Sequence, residues 1–333
     1  MSLDTMGRLA VSLLEEPDIE GYPTEYLIAR IRARRANLIK DWGELVISHS
    51  PMEYLQKTRY RGSINEYSKD GIWYLLWSEY RWIYRQMNKG LRGVFYYLFL
   101  YFEFKRLIRS LRYKLCEDGG EGVNHLLRFS LISRDIKRIL REDELFVVIG
   151  WLEDRGIDGL KDAFSEKGIS GLEERLMDWF FHQVSSERLH PSIQRVFSYI
   201  IDSVNIITIF KHIRWQIETP PSLIAGGRLN RDYLLRAWAA EGMNAIITSI
   251  RRLTGIHDKE VTYSNIEVIM RCGLMRMAMR MLRRGEEDNS CGSDIVVALD
   301  YILRLCIEVE NLGLILYGEG LERDVIEREL CVS

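Results

Sequence analysis

The sequence has few residues that interrupt helices. Only six prolines occur in 333 residues, and each lies where a helix can begin or end. Asn-Gly hairpin turns and the alternating pattern of a half-buried strand are missing, and the one β-rich run, at residues 145–152, is short and flanked by charged helical sequence. These absences predict an all-α protein.

Cross-links, excess charge and targeting signals are also scarce. Five cysteines form an odd set without a C-x-x-C pair, which is typical of a reducing compartment. A net charge of −2 argues against a nucleic-acid binder, which normally has a marked basic excess. The beginning of the chain lacks the basic start of a secretory signal, and the apolar run at 94–102 is far shorter than the roughly 20 residues of a spanning helix. We therefore expect a cytoplasmic protein without a membrane span.

Motifs of enzymes and metal sites are missing as well. No glycine is followed by lysine and a hydroxyl residue, as a phosphate loop requires, and the Gly168–Gly171 segment falls one residue short of a G-x-S-x-G elbow. The six histidines are scattered, and the closest pair, His182 and His190, does not have the spacing of a helical zinc site. We expect no catalytic residue, no cofactor and no metal.

Three stretches of the chain repeat one helical pattern. Each contains an acid with apolar or small residues three positions before it and one, four and eight positions after it, which is one face of an α-helix. A further polar or basic residue follows three positions after the acid, on the same side of the helix. The acids are Glu103, Asp202 and Glu308, and the residues at the +3 position are Arg106, Asn205 and Asn311. A structural role and a carboxylate-pair active site are both open for these residues.

A glycine-containing break and a second amphipathic segment follow each of these helices. The breaks are Gly119-Gly120, Gly226-Gly227 and Gly318 with Gly320. The acids lie about a hundred residues apart, whereas helical solenoid repeats have periods of roughly 30 to 50 residues. We predict three similar helical domains at residues 1–117, 118–222 and 223–333, with approximate boundaries and terminal helices that can be exchanged between domains.

Clustered arginines mark two candidate contact regions. One adjoins the second glycine break, and the other is the stretch 271–284, where methionines line a neighbouring helical face. Packing against the core explains this stretch, and so does a groove for an acidic partner helix, because methionine adapts to partners and arginine supplies fixed donors. The candidate partner-binding residues are Arg228, Arg231, Arg276, Arg280, Arg283 and Arg284.

Several segments together resemble one known family. The YLIARIRARR sequence at 26–35 resembles the opening helix of the C subunit of bacterial and archaeal V/A-type ATPases, which is related to the d subunit of eukaryotic vacuolar ATPases. DSVNI at 202–206 ahead of AGGRL at 225–229, and EVENL at 308–312 ahead of a short final helix, are similar to that family's internal repeats in the same order. The residues that match its motifs are Tyr26, Arg30, Arg32, Glu103, Asp202, Asn205, Gly226, Gly227, Glu308 and Asn311. Arg106 departs from the asparagine of the other repeats, and the stretch 73–102 is unusually aromatic.

This resemblance implies a funnel of three helical domains related by a pseudo-threefold axis. It implies a non-catalytic rotor subunit of the central stalk, a socket that couples the central shaft to the membrane rotor ring, so that ATP hydrolysis or synthesis is linked to proton or sodium ion transport. The implied partners are the shaft subunits and the ring. The isolated chain would be a monomer, and the assembled subunit would lie peripherally on the cytoplasmic face of the membrane.

Two other interpretations account for parts of the sequence. A free-standing helical scaffold or adaptor that binds a partner helix fits the composition, although it does not explain the order of the repeats. A helical enzyme that uses a carboxylate pair involving an acid such as Glu103 or Asp202 predicts that the acids converge in one cavity with perturbed pKa values.

Overall fold

The computed structural model describes residues 13–48, 50–116, 119–240, 243–257, 260–288, 292–318 and 320–332. Helices dominate these ranges. The only extended pairing within them is an isolated antiparallel bridge between Leu14 and Ile132, and they contain no β-strand. The predicted all-α class is confirmed. Cys291, one of the five cysteines, lies outside the described residues.

Sixteen α-helices occur in the described part of the chain. In chain order they are α1 Thr24–Arg35, α2 Trp42–Ile47, α3 Pro51–Leu55, α4 Arg61–Tyr67, α5 Gly71–Gln86, α6 Lys89–Tyr113, α7 Gly119–Leu127, α8 Arg134–Glu142, α9 Leu145–Asp154, α10 Leu160–Ser186, α11 Pro191–Arg214, α12 Arg231–Ala239, α13 Met243–Thr254, α14 Ile266–Asp288, α15 Gly292–Tyr317 and α16 Arg323–Glu329. A 3-10 helix, Ser68–Asp70, joins α4 to α5.

The chain divides into two compact units. The first contains the described residues up to Gly21 together with Tyr80–Leu189, and the second contains Tyr22–Glu79 together with the described residues from His190 onward. The three domains at 1–117, 118–222 and 223–333, and a threefold relation between them, stay predictions.

Aromatic side chains form much of the core of the first unit. Helix α6 packs against α7 and α10, and Phe104 of α6 stacks on Trp179 of α10 with ring centroids 5.6 Å apart. Phe95 and Phe99 have no exposed surface. The aromatic run that stands out in the sequence is therefore largely an interior face of α6, where large rings bury much apolar area.

In the second unit, α15 is the central helix. It packs against α14 along much of its length and against α1, and α11 packs against α14. The predicted apolar positions around the third acid, Leu305, Val309, Leu312 and Leu316, are all buried. The 3.6-residue periodicity therefore identified the core-facing side of this helix correctly.

One described helix, α11, is long and apolar enough to cross a membrane. Its 24 residues include an 18-residue window with a mean hydropathy of 1.3, of which 56% is buried inside the protein. Its Asp202 and Asn205 are also buried. Length and composition are weak evidence for a span, because core helices of folded proteins pass the same test.

The first helix ends earlier than the sequence pattern indicates. The apolar and basic spacing predicts a helix from near Glu25 to Lys40, capped by Thr24, whereas α1 begins at Thr24 after Pro23 and ends at Arg35. The prediction of its length was wrong. The physical reason is a tertiary contact: the chain leaves the helix before Ile39, whose N–H donates to the carboxylate of Glu308 at 2.6 Å.

Candidate functional site

The second of the three acids holds a loop by its backbone. The two carboxylate oxygens of Asp202 on α11 accept hydrogen bonds from the N–H groups of Arg228 and Leu229, each at 3.0 Å. One turn later, Asn205 accepts from the N–H of Ile224 at 2.8 Å and donates to its carbonyl at 2.9 Å. We call such an arrangement a clasp: an acid on a helix binds the backbone of another segment, and a polar or charged residue follows three positions after the acid. This clasp fixes the loop before α12 onto α11.

Two glycines shape the loop of this clasp. Gly226 has a φ of +99°, a region that glycine adopts readily and other residues rarely. A Cβ atom on Gly227 would lie 2.1 Å from Oδ1 of Asp202. Glycine is therefore needed at this position for the backbone to approach the carboxylate.

The third acid binds segments that are distant in the chain. One oxygen of Glu308 on α15 accepts from the N–H of Ile39, and the other accepts from Tyr60 Oη at 2.6 Å and from Arg59 Nη2 at 2.9 Å. Asn311 binds Cys331 in the same reciprocal way, donating to its carbonyl at 2.9 Å and accepting from its N–H at 3.1 Å. This clasp ties residues from both ends of the described chain to one helix.

In the first clasp, a different residue occupies the +3 position. Glu103 on α6 accepts from the N–H of Leu131 at 3.0 Å and from Ser130 Oγ at 2.6 Å. Arg106 turns back to the same carboxylate, with Nη1 3.0 Å from Oε1. Both charged side chains are about 95% buried. The arginine therefore pairs with the buried acid of its own helix and neutralises its charge.

After each acid-bound backbone group, a short helix begins. Asn230 caps α12 by accepting from the N–H of Tyr233 at 3.0 Å, and Asp41 caps α2 by accepting from the N–H of Glu44 at 2.8 Å. Ser133 precedes α8 in the same place. The segment that starts at Ile39 therefore occupies the same place relative to Glu308 as the loop at Leu229 occupies relative to Asp202. In the sequence, however, Ile39 lies far before Glu308, whereas Leu229 lies shortly after Asp202.

Burial shifts the pKa values of several groups in the clasps. Desolvation raises the pKa of the Asp202 carboxyl, and the bonds from Leu229 and Arg228 act in the opposite direction. Desolvation also raises the pKa of Glu308, against the charge of Arg59. In the first clasp, burial lowers the pKa of Arg106, while Glu103 acts to raise it. Such shifts arise wherever charged groups are buried, in structural as well as catalytic sites.

A charged network next to the third clasp was not expected from the sequence. Asp300, which is 1% exposed, binds Arg35 Nε at 2.7 Å and Arg304 Nε at 2.9 Å. Arg34 pairs with Glu79 of α5, whose other oxygen accepts from Tyr301 Oη at 3.2 Å. The spacing of Asp300 and Arg304 by four residues was the only sequence signal for this network.

The six candidate partner-binding arginines do not share one role. Arg228 and Arg231 are exposed beside the Asp202 clasp, and Arg283 and Arg284 are exposed near the end of α14. Arg276 and Arg280 instead donate to the carbonyls of Gly255 and Thr254 at 3.0 and 3.2 Å, at the C-terminal end of α13. There they satisfy carbonyls that lack partners within the helix.

Of the remaining motif residues, Tyr26 and Arg32 are exposed on α1, and the Arg30 guanidinium lies over the rings of Tyr22 and Tyr26 at 5.6 and 5.8 Å. These contacts are local to the beginning of the second unit. They do not include any of the three acids.

The clasps are suited to holding backbone in place. The oxygens of each acid are engaged by donors from its own clasp, and Asp202 and Glu308 bind different segments of the second unit. Across the described ranges, no group of three or more His, Cys, Asp or Glu residues could hold a metal ion. These observations favour the structural interpretation of the acids.

Comparison with known families gives one match and one negative result. The family described as ATP synthase (C/AC39) subunit matches residues 27–329. No curated protein matches the chain. The matched range contains the acid and the +3 residue of each clasp and every candidate arginine.

Proposed function

Because the chain belongs to the ATP synthase (C/AC39) subunit family, it is a non-catalytic subunit of a V/A-type ATPase, and we propose that it is the socket of the central stalk. In this role it couples the central shaft to the membrane rotor ring, so that ATP hydrolysis or synthesis is linked to proton or sodium ion transport. The subunit lies peripherally on the cytoplasmic face, and it is a monomer when isolated.

The observation that supports this proposal is the recurrence of the buried clasp. A part that transmits torque must resist deformation, and close-packed helical interiors have low compressibility. Each clasp adds buried hydrogen bonds between a long helix and a loop, and satisfied buried networks rigidify the groups that they join. Three such joints at domain-sized intervals suit a mechanical coupling better than they suit an adaptable adaptor.

We further propose that the three clasps mark three repeat domains. The third repeat then combines α14 and α15 with the segment from Ile39 to Glu79, which explains why Glu308 binds Ile39.

Arg228 and Arg231 are the proposed contact residues for the shaft. They are exposed next to a loop that Asp202 holds rigidly through the N–H of Arg228 itself. A charged side chain on a fixed loop can meet an acidic partner surface with little loss of conformational entropy.

Size-exclusion chromatography with light scattering tests the proposal directly. The chain is expected to elute alone as a monomer and to form a one-to-one complex with the cognate shaft subunits, and moderate salt should weaken this complex. Arg228→Glu/Arg231→Glu should weaken it further, whereas Arg251→Glu/Arg252→Glu, at exposed positions on α13, serves as the matched control. A lack of any complex at micromolar concentration would contradict the socket role and favour the interpretation as a free-standing scaffold.

A further inference from the structure

A small, strongly basic pocket lies in the second unit where α1 ends beside α15. It has a volume of about 390 Å³. Its lining contains four cationic side chains and no acidic one: Arg32, Arg35, Ala36, Leu38, Ile39, Lys40, Trp42, Arg304 and Val332. The family match and the proposed function assign nothing to this pocket.

Two arginines of the pocket are held in fixed orientations by one buried carboxylate. Arg35 and Arg304 both contact the buried Asp300 through Nε, at 2.7 and 2.9 Å. Their side chains retain exposures of 31% and 18%. The Nη groups of these two arginines make no hydrogen bond to the described part of the chain. Two guanidinium groups therefore present terminal donors in the same pocket, and such paired donors match the geometry of a carboxylate or phosphate.

The pocket keeps a net positive charge after the negative groups near its four cations are counted. Asp300 offsets one of the four cations, and the carbonyl end of α1 is equivalent to about half a negative charge. Glu308 is close to Ile39, but it is paired with Arg59. The dipole of α1 accounts for arginines in its last turn, Arg32 and Arg35. It does not account for Lys40 or for Arg304, which comes from α15.

The surroundings of the pocket limit the size of the anion. A neighbouring cleft of about 530 Å³ shares Lys40, Trp42 and Val332 with it and adds Asp41 and Glu327. Asp41 and Glu327 therefore border the basic pocket, and Glu327 is paired with Arg323 at 2.8 Å. The positive charge is confined to one small site, which suits a single anionic group better than a polyphosphate chain or an anionic bilayer. The apolar wall formed by Leu38, Trp42 and Val332 suits a side chain flanked by hydrophobic neighbours.

We propose that this pocket binds a carboxylate side chain presented by an acidic and hydrophobic segment of a protein partner. The Nη groups of Arg35 and Arg304 hold the carboxylate, and Arg32 and Lys40 at the rim attract it. This inference goes beyond the proposed function, because it does not require that the partner belong to the stalk.

Isothermal titration of the full chain with a blocked peptide, acetyl-LDLDL-amide, at low salt tests the site. We expect binding that Arg32→Gln/Lys40→Gln weakens by about three- to tenfold, as the removal of two exposed charges predicts, without disturbing the contacts of Asp300. Arg251→Gln/Arg252→Gln removes the same charge from exposed positions on α13 and should change the affinity less than about twofold. The asparagine peptide acetyl-LNLNL-amide should not bind.

A second variant tests the fixed guanidinium groups. Arg304→Lys keeps the charge and can still pair with Asp300, but it removes the Nη donors, so the peptide should bind more weakly while the thermal midpoint shows that the protein is folded. Equal affinity in wild type, Arg304→Lys and the rim variant would overturn the proposal, as would equal binding of the asparagine peptide. Tighter binding of inorganic phosphate, or of vesicles containing anionic lipid, would overturn the assignment to a carboxylate. None of these titrations involves shaft subunits, so failure of the stalk complex and failure of the pocket are separate results.

Discussion

Asn311 and Cys331 exchange two hydrogen bonds, one in each direction, between the side-chain amide of Asn311 and the backbone of Cys331. Asn205 and Ile224 make the same exchange in the second clasp. Only a side chain with one donor and one acceptor in fixed positions can satisfy both backbone groups. The two clasps therefore require an amide at this position, which a carboxylate of the same shape cannot replace.

Asn311→Asp is expected to lower the free energy of unfolding by about 1–3 kcal/mol, because the Cys331 carbonyl loses its donor in a buried site. Urea denaturation measures the loss. Asn244→Asp changes the same atoms at an exposed position of α13 and should have little effect. Equal losses in the two variants would contradict the requirement for an amide.

Gly227→Ala is expected to destabilise the protein by about 1–3 kcal/mol, since the added Cβ would lie 2.1 Å from Asp202 Oδ1 and the loop must shift. The comparison is Gly93→Ala in α6, where the new Cβ would have no atom within 4 Å other than those of its chain neighbours and its own helical backbone. That substitution should stabilise the helix by about 0.5–1 kcal/mol. Thermal or chemical denaturation measures the stability of both variants. An unchanged stability of Gly227→Ala would show that the loop can move away from Asp202 without cost.

The buried pair of Glu103 and Arg106 allows a double-mutant cycle. Arg106→Met leaves the carboxylate buried without its cation and should cost about 3–5 kcal/mol. Adding Glu103→Gln removes the uncompensated charge, so the double variant should be more stable than the sum of the single losses predicts. A coupling free energy near zero would mean that Ser130 and Leu131 alone satisfy Glu103.

The raised pKa of Asp202 gives a prediction for pH. In the folded protein the carboxyl binds its proton more readily than in the unfolded chain, where its pKa is near the ordinary value of 3.8. Its contribution to stability is therefore fully present below that value and is lost as the pH rises through the higher folded pKa. The difference in unfolding free energy between wild type and Asp202→Asn should thus decrease as the pH rises from about 4. Urea titrations at several pH values measure this difference. An increase over the same pH range would show that the pKa of Asp202 is lowered in the folded protein, not raised.

The sequence predicted the helices and their buried faces well, because periodicity is a local signal. Leu305 and Val309 are buried as the pattern around Glu308 indicates, and the β-rich run at 145–152 lies in helix α9, as the charged flanks suggested. The partners of the acids could not be predicted, because no local pattern indicates that Glu308 binds Ile39 and Arg59. The roles of Arg276 and Arg280 depend in the same way on where α13 ends. Contacts across long sequence separations determine the candidate site, and a single sequence does not encode them in its periodicity.

The hydrogen bond between Ile39 and Glu308 also affects the order in which contacts can form during synthesis of the chain. The two residues are 269 positions apart, and at synthesis rates of roughly 5–20 residues per second the ribosome needs on the order of tens of seconds to pass from one to the other. During that interval the segment after α1 has neither its carboxylate nor the helix on which it packs. The segment after α1 can therefore bind Glu308 only once the residues of α15 have been synthesised, so this contact forms late relative to the contacts within α1.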